Sequence, residues 1–499
     1  MRRRAGPLAG PIVGAALASA GIAAPASADD LRQALELAYR SNPTLLGARA
    51  DLRATDEQVA IEKADGRPNL SSTAQHTEFL KQSSSSFTSP DRAFNASVSL
   101  GVPIYSGGAV RNAVLRAKTR VTAGRADLRG TESAIFSQVV SAYMDVMQNQ
   151  AIVGLNRSNV QVLNVNLQAT SDRFQIGNLT RTDVAQSQSR LALARGDTRS
   201  AEANLASARE TYIRLVGKPP QDLQPPPPLP NLPANAEEAV AFALDNNPDV
   251  LAARERSRAA GYDVRVAGSR RLPRLSLFSG GGYNNYFGTL GSFSSLPAAQ
   301  SDTTAQVGLR ASLPLYQGGL PAALRRQAQQ REGSAMEQEI AVERDVIAQT
   351  RAAFSSWQAS LEIIASSQTA VDAANLGLEG VRAENGVGNR TILDILNAEQ
   401  ELLQAQVRLV TARRNAYVAG FSVLAAMGRA EARDLGLEGG PLYDPDVHYR
   451  QVRGKWFDWD SDPAPVAQAS RTVDTPVQDG DIPAMTMPTT GTRNDAPGG

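Results

Sequence analysis

Only two histidines, His76 and His448, stand in the 499-residue chain, and there is no cysteine. Disulfides, thiolate metal sites, a cysteine nucleophile and a lipid-modified N-terminal cysteine are therefore excluded. A Ser-His-Asp triad would have to recruit one of two histidines far apart in sequence, and neither sits in a recognisable motif. No G-x-S-x-G elbow or P-loop pattern occurs either. No cofactor, metal centre or enzymatic reaction is expected. The polar residues that do recur at fixed spacing stand behind a glycine. Gly177, Thr180 and Asp183 form one set, and Gly388, Thr391 and Asp394 form another 211 residues later. A threonine followed three residues on by an acid fits a capping box at a helix start. The same carboxylates could also face a solute, and the spacing allows both roles.

The elements that would position these residues are written twice. LRQALELAYRSNPTLLGARA at 31–50 matches AEEAVAFALDNNPDVLAARE at 236–255, with Asn42-Pro43 over Asn247-Pro248. VPIYSGG at 102–108 matches LPLYQGG at 313–319, and Gly217 matches Gly428. Several anchors in one order define an internal repeat. The first copy spans 29–217 and the second 236–430, joined by a proline-rich linker at 218–235. Each copy reads as short helices, a strand pair and a very long helical stretch, since 105–218 and 322–440 contain no proline. Apolar residues there recur at steps of four and three, from Ile135 through Val139, Val146 and Val153 to Leu163 and Leu167. The equivalent row in the second copy runs from Val346 through Trp357 and Ile364 to Leu378. Such rows are coiled-coil seams. About 65 helical residues span roughly 100 Å. An ordinary extended coiled coil would also satisfy this pattern.

The strands separate the possibilities. Phe94, Ala96, Val98, Leu100, Val102 and Ile104 alternate with small or polar residues, as do Ala305, Val307, Leu309, Ala311, Leu313 and Leu315. Period two with one apolar face is a half-buried strand. Their partners lie at about 69–80 and 274–287. At the N-terminus, Arg2 to Arg4, an apolar run and Ala26-Ser27-Ala28 read as a secretory signal over 1–28, an uncleaved anchor helix being the other reading. No acid lies in that segment, so the mature chain would carry 48 basic and 50 acidic residues. That balance argues against nucleic acid. No other window resembles an apolar 20-residue helix, so any insertion into lipid must use strands. Two-faced strands in an exported chain fit a transmembrane barrel; a small periplasmic sheet packed on helices is the plainer reading. Four strands cannot close a barrel of at least eight, so chains would have to share one. An open channel favours three copies, because eight-stranded barrels fill with side chains.

GVGNRTILDILNAEQELLQAQVRLVTARRNAY at 386–417 resembles the second-repeat signature of the TolC family of outer-membrane efflux proteins. FQIGNLTRTDVAQSQSRLALAR at 174–195 is similar to the first-repeat version, and the paired Asn-Pro helices and P-[IL]-Y-x-G-G turns agree. The resemblance covers about 29–430. It implies a mixed α and β homotrimer: a shared twelve-stranded outer-membrane barrel continued by a long periplasmic α-helical barrel. It implies an exit duct for type I secretion or multidrug efflux, with a periplasmic adaptor and an inner-membrane ABC transporter or proton-driven pump as partners. The lack of an acylatable cysteine and the tail YDPDVHYRQVRGKWFDWD at 443–460 favour secretion. Trp456 and Trp459 in that tail suit docking on the helices better than an interfacial pair. Residues 431–460 would be periplasmic, and 461–499, rich in Pro, Thr and Asp, disordered. A periplasmic coiled-coil scaffold without a pore is the reading from another class.

The resemblance also assigns residues. Gly177 and Gly388 are the periplasmic tip turns, and Asp394 matches one carboxylate of the entrance constriction. A second family carboxylate falls at Asn397, so one acidic ring is expected rather than two. Arg390 matches a basic gate residue whose partners would be Thr182 and Asp183. An aromatic gate residue is replaced by Asn385.

Overall fold

A computed structural model describes residues 30–81, 89–291, 298–437 and 442–482. The expected signal segment at 1–28 and the last part of the C-terminal stretch, 483–499, lie outside the described residues. The first repeat runs α1 (Leu31–Ser41), α2 (Pro43–Ala64), β1 (Asn69–Glu78), β2 (Arg92–Tyr105), α3 (Ala109–Gln175) and α4 (Arg181–Val216). The second runs α5 (Ala236–Asn246), α6 (Pro248–Gly268), β3 (Arg274–Asn285), β4 (Ser301–Ser312), α7 (Leu320–Gly386) and α8 (Ile392–Ala426). A short α9 (Asp446–Val452) follows. Among the described residues no helix is long and apolar enough to cross a membrane.

The Asn-Pro anchors work identically in both copies. Asn42 Oδ1 accepts from the amides of Thr44 and Leu45 at 3.0 and 3.3 Å, and Pro43 occupies the first helical turn, where no amide is needed. Its Nδ2 donates to Leu215 O at 3.0 Å, tying α2 to the end of α4. Asn247 caps α6 in the same way and donates to Ala426 O at 2.8 Å, at the end of α8. One side chain thus starts one helix and closes another, so the repeat is a repeat of contacts.

α3 and α7 are each 67 residues long, yet their burial differs. α3 lies among α2, α4, α6 and α8 and buries 19 side chains. α7 packs on α5, α6 and α8 and buries four, namely Val346, Thr350, Ser360 and Leu378. Met336, Ile363 and Leu376 of α7 are half or more exposed. α7 is therefore an edge of the single chain. The main core gathers where α1 and the ends of α4 and α8 meet the middle of α3, around Phe136, Val139, Tyr143, Leu205, Tyr212 and Phe421. The proline-rich linker crosses this level, held by Tyr143 Oη to Gln224 O at 2.6 Å and Tyr417 Oη to Pro227 O at 3.1 Å.

The strands form one antiparallel sheet in the order β1-β2-β3-β4. Its register sorts the side chains onto two faces. Leu70, Leu100, Ser279 and Val307 stand in one cross-strand row, and Val102, Leu277 and Leu309 in another. On the opposite face Ser71, Ser99, Gly280 and Gln306 share a row, as do Thr73, Ser97, Gly282 and Thr304. Ser71 and Ser99 hydroxyls meet at 2.8 Å, and Thr73 and Ser97 do the same. The apolar face is uncovered: Leu70, Val307 and Leu309 are 70%, 74% and 65% exposed. A sheet of strands with an uncovered apolar face and a hydrogen-bonded polar face is built for lipid on one side and water on the other. β1 and β4 are open edges.

Candidate functional site at the hairpin tips

Far from the sheet, α3 turns into α4 and α7 into α8 through two copies of one device. Gly177 and Gly388 take positive φ values of 80° and 86°, which an L side chain resists. The amides beyond them reach back: Asn178 N to Arg173 O and Asn389 N to Glu384 O, both at 2.9 Å. This satisfies carbonyls that the ending helix would leave bare. The next helix then starts with the expected capping box. Asp183 Oδ2 accepts from Thr180 N at 2.8 Å and from Thr180 Oγ1 at 2.7 Å, while Thr180 Oγ1 accepts from Asp183 N at 3.3 Å. Asp394 and Thr391 repeat the pattern at 2.9, 2.8 and 3.3 Å. Hydrogen bonds from Thr391, and then the nearby Arg390, hold the Asp394 carboxyl below the ordinary aspartate range. It is therefore ionised at neutral pH.

Around the caps the expected residues fall into two groups. Asp394 and Arg390 lie together at one tip, and Thr182 and Asp183 at the other. Within one chain Arg390 is engaged by Glu384, Nε to Oε2 at 2.7 Å, and Asp183 is engaged by its own cap. The bridge between tips runs instead through Asn385, the position where an aromatic was expected. Asn385 Nδ2 donates to Arg390 O at 2.7 Å, and its Oδ1 accepts from Arg173 at 3.5 Å. Asn397 accepts from Arg190 of α4 at 2.8 Å. A carboxamide held by a guanidinium thus stands where a second carboxylate was considered.

Sequence reasoning missed Arg190, and it missed Glu399. Glu399 is 5% exposed and takes Asn166 of α3 at 2.7 Å and Arg382 of α7 at 3.1 Å. One carboxylate locks α8 to both long helices just inside the tip. Arg382 stands 17 residues before it and Asn166 in the other repeat. No local spacing announces such a triad.

An uncovered four-stranded apolar sheet, joined by long helices to a charged double tip, defines a subunit of a membrane conduit. The model of the outer membrane efflux protein family matches residues 34–218 and 240–429, and the chain belongs to that family. Outer membrane efflux protein BepC of Brucella suis biovar 1 is 33% identical over 442 residues, which cover 87% of this chain and 92% of that protein. Outer membrane protein TolC of Escherichia coli is 26% identical over 435 residues, 84% and 86% of the two chains. The crystal structure of outer membrane protein VceC from Vibrio cholerae superposes with a TM-score of 0.68 at 23% identity, covering 80% of this chain and 96% of that one. The fold is that of the trimeric TolC-type outer-membrane channels, and the family is one of channels rather than enzymes. The chain is an outer-membrane protein of Gram-negative type, with its long helices in the periplasm.

Proposed function

We propose that three copies close one twelve-stranded barrel and form the exit duct of a tripartite export system, in which a periplasmic adaptor and an inner-membrane transporter deliver the substrate. The observation that carries this reading is the register of the sheet, which segregates an uncovered apolar face from a hydrogen-bonded polar one while leaving β1 and β4 unpaired. Unpaired strand edges cannot stay in lipid, so closure by further copies is required. The half-exposed apolar stripe of α7 supports the same closure below the membrane. Sedimentation in detergent and planar-bilayer recording test the reading together. A conducting trimer is expected, and a conducting monomer refutes it.

The duct's substrate is proposed to be protein delivered by an ABC transporter. The support is the tail, whose sequence resembles that of secretion-type members and which docks in order along the helices. His448 Nδ1 meets Asp56 at 3.2 Å, Lys63 donates to Arg453 O at 2.8 Å, and Arg67 stacks on Trp456 at 4.6 Å. The second reading is the outer-membrane component of a multidrug efflux pump; in its support, the similar Brucella protein is named an efflux protein. Deleting the chain decides: loss of an exported protein with unchanged drug susceptibility supports secretion, and the converse supports efflux. The periplasmic entrance is proposed to be ringed by Asp394 with Asn397 one turn deeper, and its closed state to draw on Arg390, Thr182 and Asp183 of neighbouring tips.

A further inference from the structure

Among the described residues beyond α9, 453–482, there is no helix or strand, yet the last of them stay on the surface of the helices. Residues 478–482, Gln-Asp-Gly-Asp-Ile, lie on α3 and α4. Arg209 of α4 donates from its two terminal nitrogens to two main-chain carbonyls, Asp479 O at 2.7 Å and Asp481 O at 2.8 Å. Its side chain is only 12% exposed. Arg157 of α3 pairs with Asp481 at 2.8 Å, and Gln478 N donates to Glu210 at 3.0 Å. Ile482 turns inward onto Gly154 and the main core.

The exposed ion pairs alone would hold little. Gly480 makes the contact specific. A Cβ placed there would stand 2.5 Å from the Cα, the Cβ and the main-chain oxygen of Glu202. The tail lies on the helix backbone at a distance that only glycine permits. Acid, glycine, acid and apolar residue each meet a matching feature: two arginines, the α4 backbone at Glu202 and the side-chain-free surface of Gly154. Directly beside the tail the same face opens into a cavity of about 610 Å³, lined by Arg157, Arg195, Arg199 and Glu202; Glu202 pairs with Arg157 at 2.7 Å and with Arg199 at 2.9 Å, and Arg195 adds a further positive charge.

We propose that the α3–α4 face is a peptide-binding groove for an acidic segment of Asp-Gly-Asp-apolar type, and that residues 478–482 fill it in cis as a strap. The strap keeps other acidic segments off this part of the periplasmic helices until it lifts. Tethering supplies the advantage. A segment joined by a short flexible linker sees its site at roughly millimolar effective concentration, so a weak intrinsic contact stays closed against dilute competitors. The contact is independent of what the duct carries.

The full chain, purified as its assembled channel, allows a direct test. Hydrogen exchange should be at least tenfold slower at the amides of 478 and 481 than at those of 466–469 in the same tail. Gly480→Val, a change in the tail alone, should bring the two stretches to the same rate. A fluorescent peptide of residues 474–482 should then bind the Gly480→Val channel saturably and at least tenfold more tightly than the unaltered channel. The same peptide carrying the valine should not bind. Equal exchange along the unaltered tail, or unchanged exchange in Gly480→Val, removes the strap. Equal peptide binding to both channels, or none to the Gly480→Val channel, removes the groove.

Discussion

Glu132 of α3 is half-buried and accepts from Ala432 N at 2.5 Å, pinning the turn that follows α8. Burial raises its carboxyl from 4.5 to about 7, with Glu431 and Asp434 adding to the rise and Ala432 N and Arg49 opposing it. The gap between 4.5 and 7 is worth ~3 kcal/mol between protonation states. The sign follows from linkage. Below 4.5 both folded and unfolded chains hold the proton, and burial costs nothing through this group. Between 4.5 and 7 the unfolded chain releases it first, so stability falls as pH rises, and above 7 the whole penalty applies. Glu132→Gln keeps an oxygen for Ala432 N and removes the charge. It should leave stability at pH 4 nearly unchanged and raise it at pH 8 by up to ~3 kcal/mol. Glu431, also raised by burial but paired with Arg129 at 2.7 Å, leaves a residual slope of the same sign. Urea unfolding followed by helical circular dichroism at pH 4 and pH 8 measures the difference. If the variant and the parent lose the same stability between these two values, Glu132 is not the buried titrating group and the reasoning fails.

Three further outcomes are expected. Gly428→Ala should lower the urea midpoint by the equivalent of at least about 2 kcal/mol, combining left-handed strain with overpacking. Its φ is +73° and a Cβ would meet Asn246 O at 2.6 Å; Gly388→Ala, with φ +86° and nothing within 4 Å, should cost about 1–2 kcal/mol from conformation alone. Asp394→Asn should reduce cation preference, read as reversal potential across a salt gradient, and weaken block by millimolar divalent cations; if both stay unchanged, Asp394 acts only as a cap. Arg390→Ser should raise single-channel conductance by releasing its contact with Thr182 or Asp183 of the neighbouring tip; unchanged conductance in this variant and in Asp183→Ala would take the gate away from these residues.

Local physics was written in the sequence. Both capping boxes depend on residues three positions apart, so spacing alone announced them; the Asn-Pro pairs stood out as anchors of the repeat, and the glycine tip turns came from the family resemblance. Period-two alternation likewise marked β2 and β4 and their apolar face, because side chains on a strand can point only two ways; their partners β1 and β3 carried a weaker pattern. Tertiary structure decided what depends on neighbours from distant parts of the chain. The seams of α3 and α7 have the same period, yet one helix is central and the other an edge, since burial depends on how many helices surround a seam. Arg190 reaches Asn397, and Glu399 gathers Asn166 and Arg382, across gaps that carry no pattern. The composition of 461–499 pointed to disorder, while residues 478–482 lie against α3 and α4. A tail too polar to build a core of its own can still be held by a surface already folded, and the shape of that surface is set by helices hundreds of residues away.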